Sequence, residues 1–345
     1  MIYRKRQTKR TGIILKLILA VLAISAITGL YYYNQYQYFV YTAVNPQNTQ
    51  ETVITVKKGE NTSQIAEKLF QNKLILNQDS FKLYTKFNNL DKDLKIGRFS
   101  LNQSLNVTEI TKILSSDQNR QEIVTIPEGA TTEEIDKILS NSKLINSGEF
   151  NQAVKNFHNY SKYSFLDEKK QQSLIYPLEG YLYPDTYFVS PNNFSADTMI
   201  SLLLNTFNQK TSAILSASTR PISDIINVAA MVEEETNTNE SRPIVAGIIW
   251  KRLDEKWALG IDATLLYLKS DRSLDYKDLK NDSEYNTRTR QGLPAGPIAN
   301  PGLASIKAAA NPANTDYYYY LTGKDGQMYY GKTNSEHASN KSKYL

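Results

Sequence analysis

Three consecutive carboxylates, Glu233, Glu234 and Glu235, close an apolar helical run and are followed at once by Thr236. Helical positions three, four and seven apart share a face, so Glu235 extends the row of Val228, Met231 and Val232, whereas Glu234 falls in line with Asn227. A carboxylate at the end of an apolar stripe is partly withdrawn from water. Burial disfavours its charged form and lifts its pKa toward the range of a general acid. Glu235 is therefore the first catalytic candidate. The competing reading is a solvated helix end built from three glutamates, the commoner fate of such a run.

Other residue types narrow the chemistry. The 345 residues include no cysteine, which removes disulfides, thiolate nucleophiles and cysteine metal ligands together. The only histidines, His158 and His337, lie far apart without ligand spacing, which argues against a zinc site or a Ser-His-Asp triad, although folding can still bring His337 beside other groups. No metal or cofactor is expected.

Two further segments stand out. Tyr176-Pro177-Leu178-Glu179-Gly180-Tyr181-Leu182-Tyr183-Pro184-Asp185-Thr186-Tyr187 packs two prolines, a glycine and four tyrosines around two carboxylates, a rigid turn rather than a regular element. It suits either of two tasks: stacking on sugar rings while its carboxylates take hydroxyl hydrogen bonds, or clamping a loop onto the core. Gly292-Leu293-Pro294-Ala295-Gly296-Pro297-Ile298-Ala299-Asn300-Pro301-Gly302 is too rich in Gly and Pro for any regular element, and its apolar residues point to an ordered loop.

The elements that position these residues are legible from periodicity. Helices are expected over Ser201 to Phe207 and Ser223 to Glu235, with another opened by Ser241-Arg242-Pro243, a cap followed by an early proline. Antiparallel packing of the last two would leave Glu235 at a turn beside a cleft. Upstream, Glu51 to Ile75 aligns without a gap on Gln121 to Ile145, an internal repeat in which each copy gives a strand, a Gly turn, a threonine that can cap, and an amphipathic helix. Between the copies the pattern predicts a helix over Ser80 to Phe87, a strand over Ile96 to Leu101 and a helix over Val107 to Leu114. Strand, two helices and strand in this short span resemble the LysM-like fold, a module that often holds glycan chains; a ligand-free scaffold is the alternative.

At 41% hydrophobic and 22% charged, the chain supports more than one domain. The net charge is only +5, from 40 Lys+Arg against 35 Asp+Glu, with Arg4, Lys5, Arg6, Lys9 and Arg10 crowded at the start, so nothing points to nucleic acid. From Gly12 to Leu30 the chain is apolar except for Lys16 and small hydroxyls, and Tyr31 to Tyr33 follow. That is long enough to span a bilayer, and the basic flank places the N-terminus in the cytoplasm. Its length and the absence of an Ala-x-Ala site favour an uncleaved anchor over a signal peptide. The expected order is a cytoplasmic tail over 1–11, a transmembrane helix over 12–33, an irregular linker over 34–50, a LysM-like module over 51–118 and a catalytic domain over 119–345, α+β in class.

Leu178 to Tyr187, Val232-Glu233-Glu234-Glu235-Thr236, Ile261-Asp262-Ala263-Thr264, Tyr285-Asn286-Thr287, Gly292 to Gly302 with Ser305, Ala308 and Ala309, and Thr333 to His337, in that order, resemble the YceG-like family of membrane-anchored endolytic murein transglycosylases. The likeness covers the whole chain. It departs mildly from the family pattern at Tyr183, often Phe there, and at Ala295, often Pro. The resemblance implies cleavage of MurNAc to GlcNAc bonds within nascent peptidoglycan strands, leaving 1,6-anhydro-MurNAc ends and terminating glycan elongation, with Glu235, the second glutamate of the family's Glu-x-Glu-Thr, as the catalytic residue. It implies a substrate-binding set of Glu179, Tyr183, Asp185, Thr186, Glu233, Asp262, Thr264, Tyr285, Asn286, Thr287, Leu293, Pro294 and Asn300, and leaves Glu234 to solvent. Glycan strands and the cell membrane are the expected partners, with peptidoglycan synthases as a further candidate. A lysozyme-type hydrolase and a non-catalytic wall-binding scaffold are the alternatives.

Overall fold

Apolar periodicity dictates the first element. In a computed structural model describing residues 3–116, 120–191, 194–269, 271 and 273–345, helix α1 runs over Tyr3–Tyr41. Its stretch Ile14–Tyr41 is long and apolar enough to cross a membrane and is unburied through its most apolar part. At 1.5 Å per residue, those 28 residues span about 42 Å. The expected linker is corrected over its first residues, because the helix continues through 34–41. Extending a formed helix is cheap, and here it buries Val40 completely, with Tyr36 packed alongside, which outweighs the weak helix propensity of Asn34 and of the aromatic residues that follow.

The chain divides into two compact units, Met1–Glu122 with Val189–Asn193, and Ile123–Phe188 with Phe194–Leu345. In the first, β1 (Thr52–Val56) pairs antiparallel with β2 (Gly97–Leu101), and α2 (Thr62–Gln71), α3 (Gln78–Phe87) and α4 (Val107–Ser115) cover it, each element within a residue or two of its expected place. Ile54, Val56, Ile65, Leu69, Phe81, Phe99, Leu101, Ile110 and Leu114 form its core.

The internal repeat is structural down to its backbone. The second copy is β3 (Arg120–Thr125) and α5 (Thr132–Asn141). Gly59 and Gly129 both take positive φ, 85° and 82°, at the turn, where a side chain would be strained. Asn61 with Gln64 and Thr131 with Glu134 form matching capping boxes. Both helices end in a Schellman motif whose left-handed residue is a lysine, Lys73 and Lys143, each with φ 57°. The following Leu74 and Leu144 return their N–H groups to Leu69 and Leu139.

In the second unit follow α6 (Glu149–Lys155), α7 (Glu168–Gln172), β4 (Thr186–Val189) and the 21-residue α8 (Ala196–Ser216), three times the length of the expected helix there. Then come α9 (Ile222–Glu235), α10 (Ser241–Asp254), α11 (Ala263–Leu266), α12 (Leu303–Ala310), the hairpin β5 (Tyr319–Thr322) with β6 (Met328–Gly331), and α13 (Asn334–Tyr344). The fold is thus a mixture of helix and sheet, with the helices and strands interleaved along the chain. The buried helix α9 packs against α10, α11 and α12, and every residue from Ile225 to Val232 is buried.

Candidate active site

The stripe that sequence periodicity assigns to α9 is real: Val228, Met231 and Val232 are fully buried, and Glu235, the last helical residue, continues their row to the surface. Glu235 is half-buried and opens on a cleft of about 590 Å³ lined by Glu233 to Thr238 on one side and by Thr322, Gly326 and Met328 of the hairpin on the other. Burial pushes its carboxyl up to about 7. A hydrogen bond donated by the Tyr320 hydroxyl and the nearby Arg252 guanidinium pull the other way, while the charges of Asp262 and Glu234 add to the rise. Desolvation wins, so Glu235 is poised to hold and release a proton near neutral pH.

Tyr320 and Arg252 escaped the sequence reading. The run Tyr317 to Tyr320 was the available signal, but nothing in it says that β5 turns the fourth ring toward Glu235. Arg252, on α10, ties the hairpin down by donating from Nε to the Tyr318 carbonyl at 2.8 Å and from Nη1 to the Leu259 carbonyl at 2.6 Å. Tyr320→Phe should raise the Glu235 pKa further, since it removes a bond that stabilises the carboxylate. Rates across a pH series should then lose activity at a more alkaline pH than the parent.

Neither neighbour of Glu235 behaves as the sequence suggests. Glu233, expected among the sugar-binding residues, is buried against the protein: Oε1 accepts from Arg242 Nη2 at 3.1 Å and Oε2 from the Gly302 amide at 2.9 Å. Arg242 also donates through Nε to Ser305 Oγ at 3.0 Å, so the pair staples α9, α10 and the start of α12 together. Glu233→Gln keeps an acceptor for Gly302 but loses the ion pair, and we expect a cost of about 2 kcal/mol in thermal unfolding, with activity lost in step with folded protein. Glu234, expected in solvent, is half-buried and borders three clefts, with its carboxylate close to Gly129. Helix α10 also starts differently: Thr238 Oγ1, rather than Ser241, accepts the first-turn amide at 3.2 Å.

The aromatic turn is a core element, which corrects the sugar-stacking reading. Tyr176, Tyr181, Tyr183 and Tyr187 are all buried, with Tyr181 at 5.9 Å from Phe165 and 5.2 Å from Phe207. Glu179 is buried too. It accepts from the Thr132 amide at 3.1 Å, from Tyr267 Oη at 3.0 Å and from Asn300 Nδ2 at 2.7 Å. Asn300 completes the knot: Oδ1 accepts from Gly180 N at 2.9 Å and Leu182 N at 2.8 Å, and Nδ2 also donates to the Ala130 carbonyl at 2.8 Å. Gly180, at φ 90°, has Pro297 and Ile226 so close that a Cβ would sit 2.6 Å from Pro297 Cγ. Pro294, also buried, accepts through its carbonyl from Asn227 Nδ2 at 2.9 Å. The Gly/Pro loop is therefore ordered, as expected, and held by side chains of α9 and the turn.

Burial pushes Glu179 up to about 7 against four lowering hydrogen bonds. A carboxyl whose folded pKa exceeds its ordinary 4.5 binds its proton more tightly folded than unfolded, so the stability it confers in acid is lost as pH rises from about 4.5 through 7. Glu235 acts in the same direction. Unfolding free energy should fall by on the order of 3 kcal/mol for Glu179 across that window, measured by denaturant titration at several pH values, and Glu179→Gln should flatten the slope.

The other expected binders divide. Thr264, Asn286 and Thr287 are buried ties: Thr264 Oγ1 donates to the Ile261 carbonyl at 2.7 Å, Thr287 Oγ1 accepts from Ile261 N at 3.0 Å, and Asn286 Nδ2 reaches the Asn281 carbonyl at 2.8 Å. Tyr285 is buried beside Tyr267, rings 5.4 Å apart. Asp185 pairs loosely with Lys210 at 3.5 Å, and the exposed Thr186 meets Thr125 at 3.1 Å. Leu293 is half-exposed. Asp262 alone joins the Glu235 site, where its charge is felt, and its Oδ1 takes Arg288 Nε at 2.7 Å. Thr333 caps α13, and His337 stacks on Tyr319 at 5.1 Å, its pKa lowered by burial, which makes this segment a packing device. Among the described residues no cluster of His, Asp and Glu could hold a metal.

The YceG-like family model matches residues 54–343, which takes in the whole Glu235 site. The chain belongs to the YceG-like family. It is 29% identical over 309 residues to the endolytic murein transglycosylase of Bacillus subtilis (strain 168), covering 85% of this chain and 84% of that protein. It is 24% identical over 327 residues to the endolytic murein transglycosylase of Streptococcus pneumoniae serotype 2 (strain D39 / NCTC 7466), and there the match spans 58% of the relative. A 2.6 Å crystal structure of a yceG-like protein from Listeria monocytogenes superposes with a TM-score of 0.59 at 28% identity, covering 84% of this chain and 99% of that one. In this YceG-like chain the motif residues sort into a small group at the cleft, Glu235 and Asp262, which Tyr320 joins, and a larger buried scaffold around Glu179 and Asn300. Glu128, which no motif singled out, borders the neighbouring cleft and lies against Gly302, where a Cβ would meet it at 2.0 Å.

Proposed function

We propose that this chain is a peptidoglycan lytic transglycosylase that cleaves MurNAc to GlcNAc bonds inside nascent glycan strands and leaves 1,6-anhydro-MurNAc ends, so terminating elongation. The observation that carries the reading is Glu235, a carboxyl pushed to about 7 by burial at the open end of a buried helix. The names of its relatives support the substrate class.

Most glycosidases divide the work between two carboxyl groups. A lytic enzyme manages with one, because the nucleophile is the substrate's own C6 hydroxyl. Glu235 donates its proton to the glycosidic oxygen as the C1–O bond breaks and positive charge develops at C1. The resulting carboxylate takes the C6 hydroxyl proton as that oxygen bonds to C1, which restores the acid. Tyr320, by donating to the carboxylate, stabilises the form needed in the second half. Asp262 and Glu234 supply negative charge beside the developing cation. Mass spectrometry of digested sacculi tests the reading, since a lytic product is lighter by one water than a hydrolytic one; products carrying that water would instead support the lysozyme-type reading, and no release the scaffold.

In the same reading α1 anchors the enzyme by a single pass, with the basic N-terminus inside and the catalytic unit outside. The β-α-α-β order of the first unit supports a LysM-like module that holds glycan. A fragment spanning residues 42–122 should then co-sediment with sacculi, and failure to do so would leave it a scaffold. Peptidoglycan synthases are candidate partners, tested by co-purification from detergent-solubilised membranes.

A further inference from the structure

An enzyme that cuts a polymer internally must hold sugar residues on both sides of the bond, and one strand of this structure leads away from Glu235. Alternate residues of a strand share a face. On β5 and the residue before it, whose amide pairs with the Gly331 carbonyl at 3.0 Å, that face carries Tyr318, Tyr320 and Thr322. Thr322 lines the cleft, Tyr320 bonds to Glu235, and Tyr318 packs against Trp257, rings 4.8 Å apart and tilted by 30°. At about 3.4 Å per residue, the row covers about 14 Å.

Trp257 is 41% exposed, whereas the other tryptophan, Trp250, is buried and donates to the Ala309 carbonyl at 2.9 Å. Its exposure is fixed by the backbone. Helix α10 ends in a Schellman motif with Lys256 at φ 57°, Lys256 N reaching the Leu253 carbonyl and Trp257 N the Arg252 carbonyl at 2.7 Å. Tyr318 beneath it is fixed as well, by Oη donating to Glu255 at 2.9 Å and by Lys251 Nζ lying 4.1 Å from its ring centre. Arg252 ties both ends together, since it contacts the Tyr318 carbonyl and carries its charge beside Glu235.

We propose that the free face of Trp257 is a distal glycan subsite, on which a pyranose of the bound strand stacks while Glu255 and Lys251 take its hydroxyls. A rigid ring with one face covered and a charged rim presents an apolar plane with polar edges, which matches a sugar's C–H face and equatorial hydroxyls. A single ring is far smaller than the surface a stable protein partner requires. The inference rests on the proposed glycan-cleaving function, and the test separates the two.

In the full-length Glu235→Gln background, which binds without cleaving, affinity for long glycan strands stripped of stem peptides is compared with affinity for a tetrasaccharide. Adding Trp257→Ala should weaken long-strand binding by about tenfold, with tetrasaccharide binding unchanged, and Trp257→Phe should restore most of the loss. Equal long-strand binding with and without Trp257 overturns the subsite and leaves the ring to a protein partner. Equal losses on both ligands overturn it too, because they place the effect in the cleft. A Glu235→Gln parent that binds no glycan at all overturns the proposed function and the subsite with it.

Discussion

Glu235→Gln should abolish the release of anhydro-ended glycans, with a rate fall of about 10⁴-fold, the upper end of what a single acid-base group supplies, because one side chain serves both halves of the reaction. The amide is nearly the same shape and keeps an acceptor for Tyr320, so the cleft and the fold should survive. Replacing a half-buried carboxyl with a neutral group also removes a desolvation cost, and the variant should melt no lower than the parent. An active, folded Glu235→Gln protein would sink the mechanism. The parent's rate should decline as pH rises through about 7, since the first step needs the protonated form and burial sets that value. In the variant, any residual rate should lose this limb.

Asn300→Ala should be the most destabilising single change in the second unit. Its side chain meets four buried partners, the amides of Gly180 and Leu182, the carbonyl of Ala130 and the carboxylate of Glu179. Each buried polar group left without a partner costs about 1–3 kcal/mol, and the shares overlap, so we expect about 5 kcal/mol in all. For a unit of this size that corresponds to a melting temperature lower by about 10–20 °C. The loss should reach activity too, because the same knot fixes the loop from Gly292 to Gly302, whose last amide binds Glu233 beside the acid. A variant melting within a few degrees of the parent would show that the knot is dispensable.

Much of this was legible because it is local. The 3.6-residue period over Val228 to Glu235 picked out the carboxyl that continues the buried stripe, and the repeat from Glu51 and Gln121 located two strands and two helices within a few residues. The first part of the linker reads as irregular because its polarity resembles that of a loop and Asn34 and the aromatics are weak helix formers, whereas burial of Val40 decides the matter. The two readings of the tyrosine turn stay level in the sequence for a related reason. A buried tyrosine cluster and an exposed sugar platform have the same composition, and only packing against Phe165 and Phe207 tells them apart.

By itself, then, the sequence determined the candidate carboxyl, the apolar stripe that partly buries it, the capped and repeated elements of the first unit and the membrane-length helix, all properties of residues within a turn or two of one another. Tertiary structure decided which of the polar motif residues face the cleft and which hold it up. Glu179 and Asn300 are 121 residues apart, as Tyr320 and Glu235 are distant, and no local rule brings them together. Closing such loops is a property of the whole core, because each buried polar group must find a partner somewhere in it, and which partner it finds is fixed only when the helices pack.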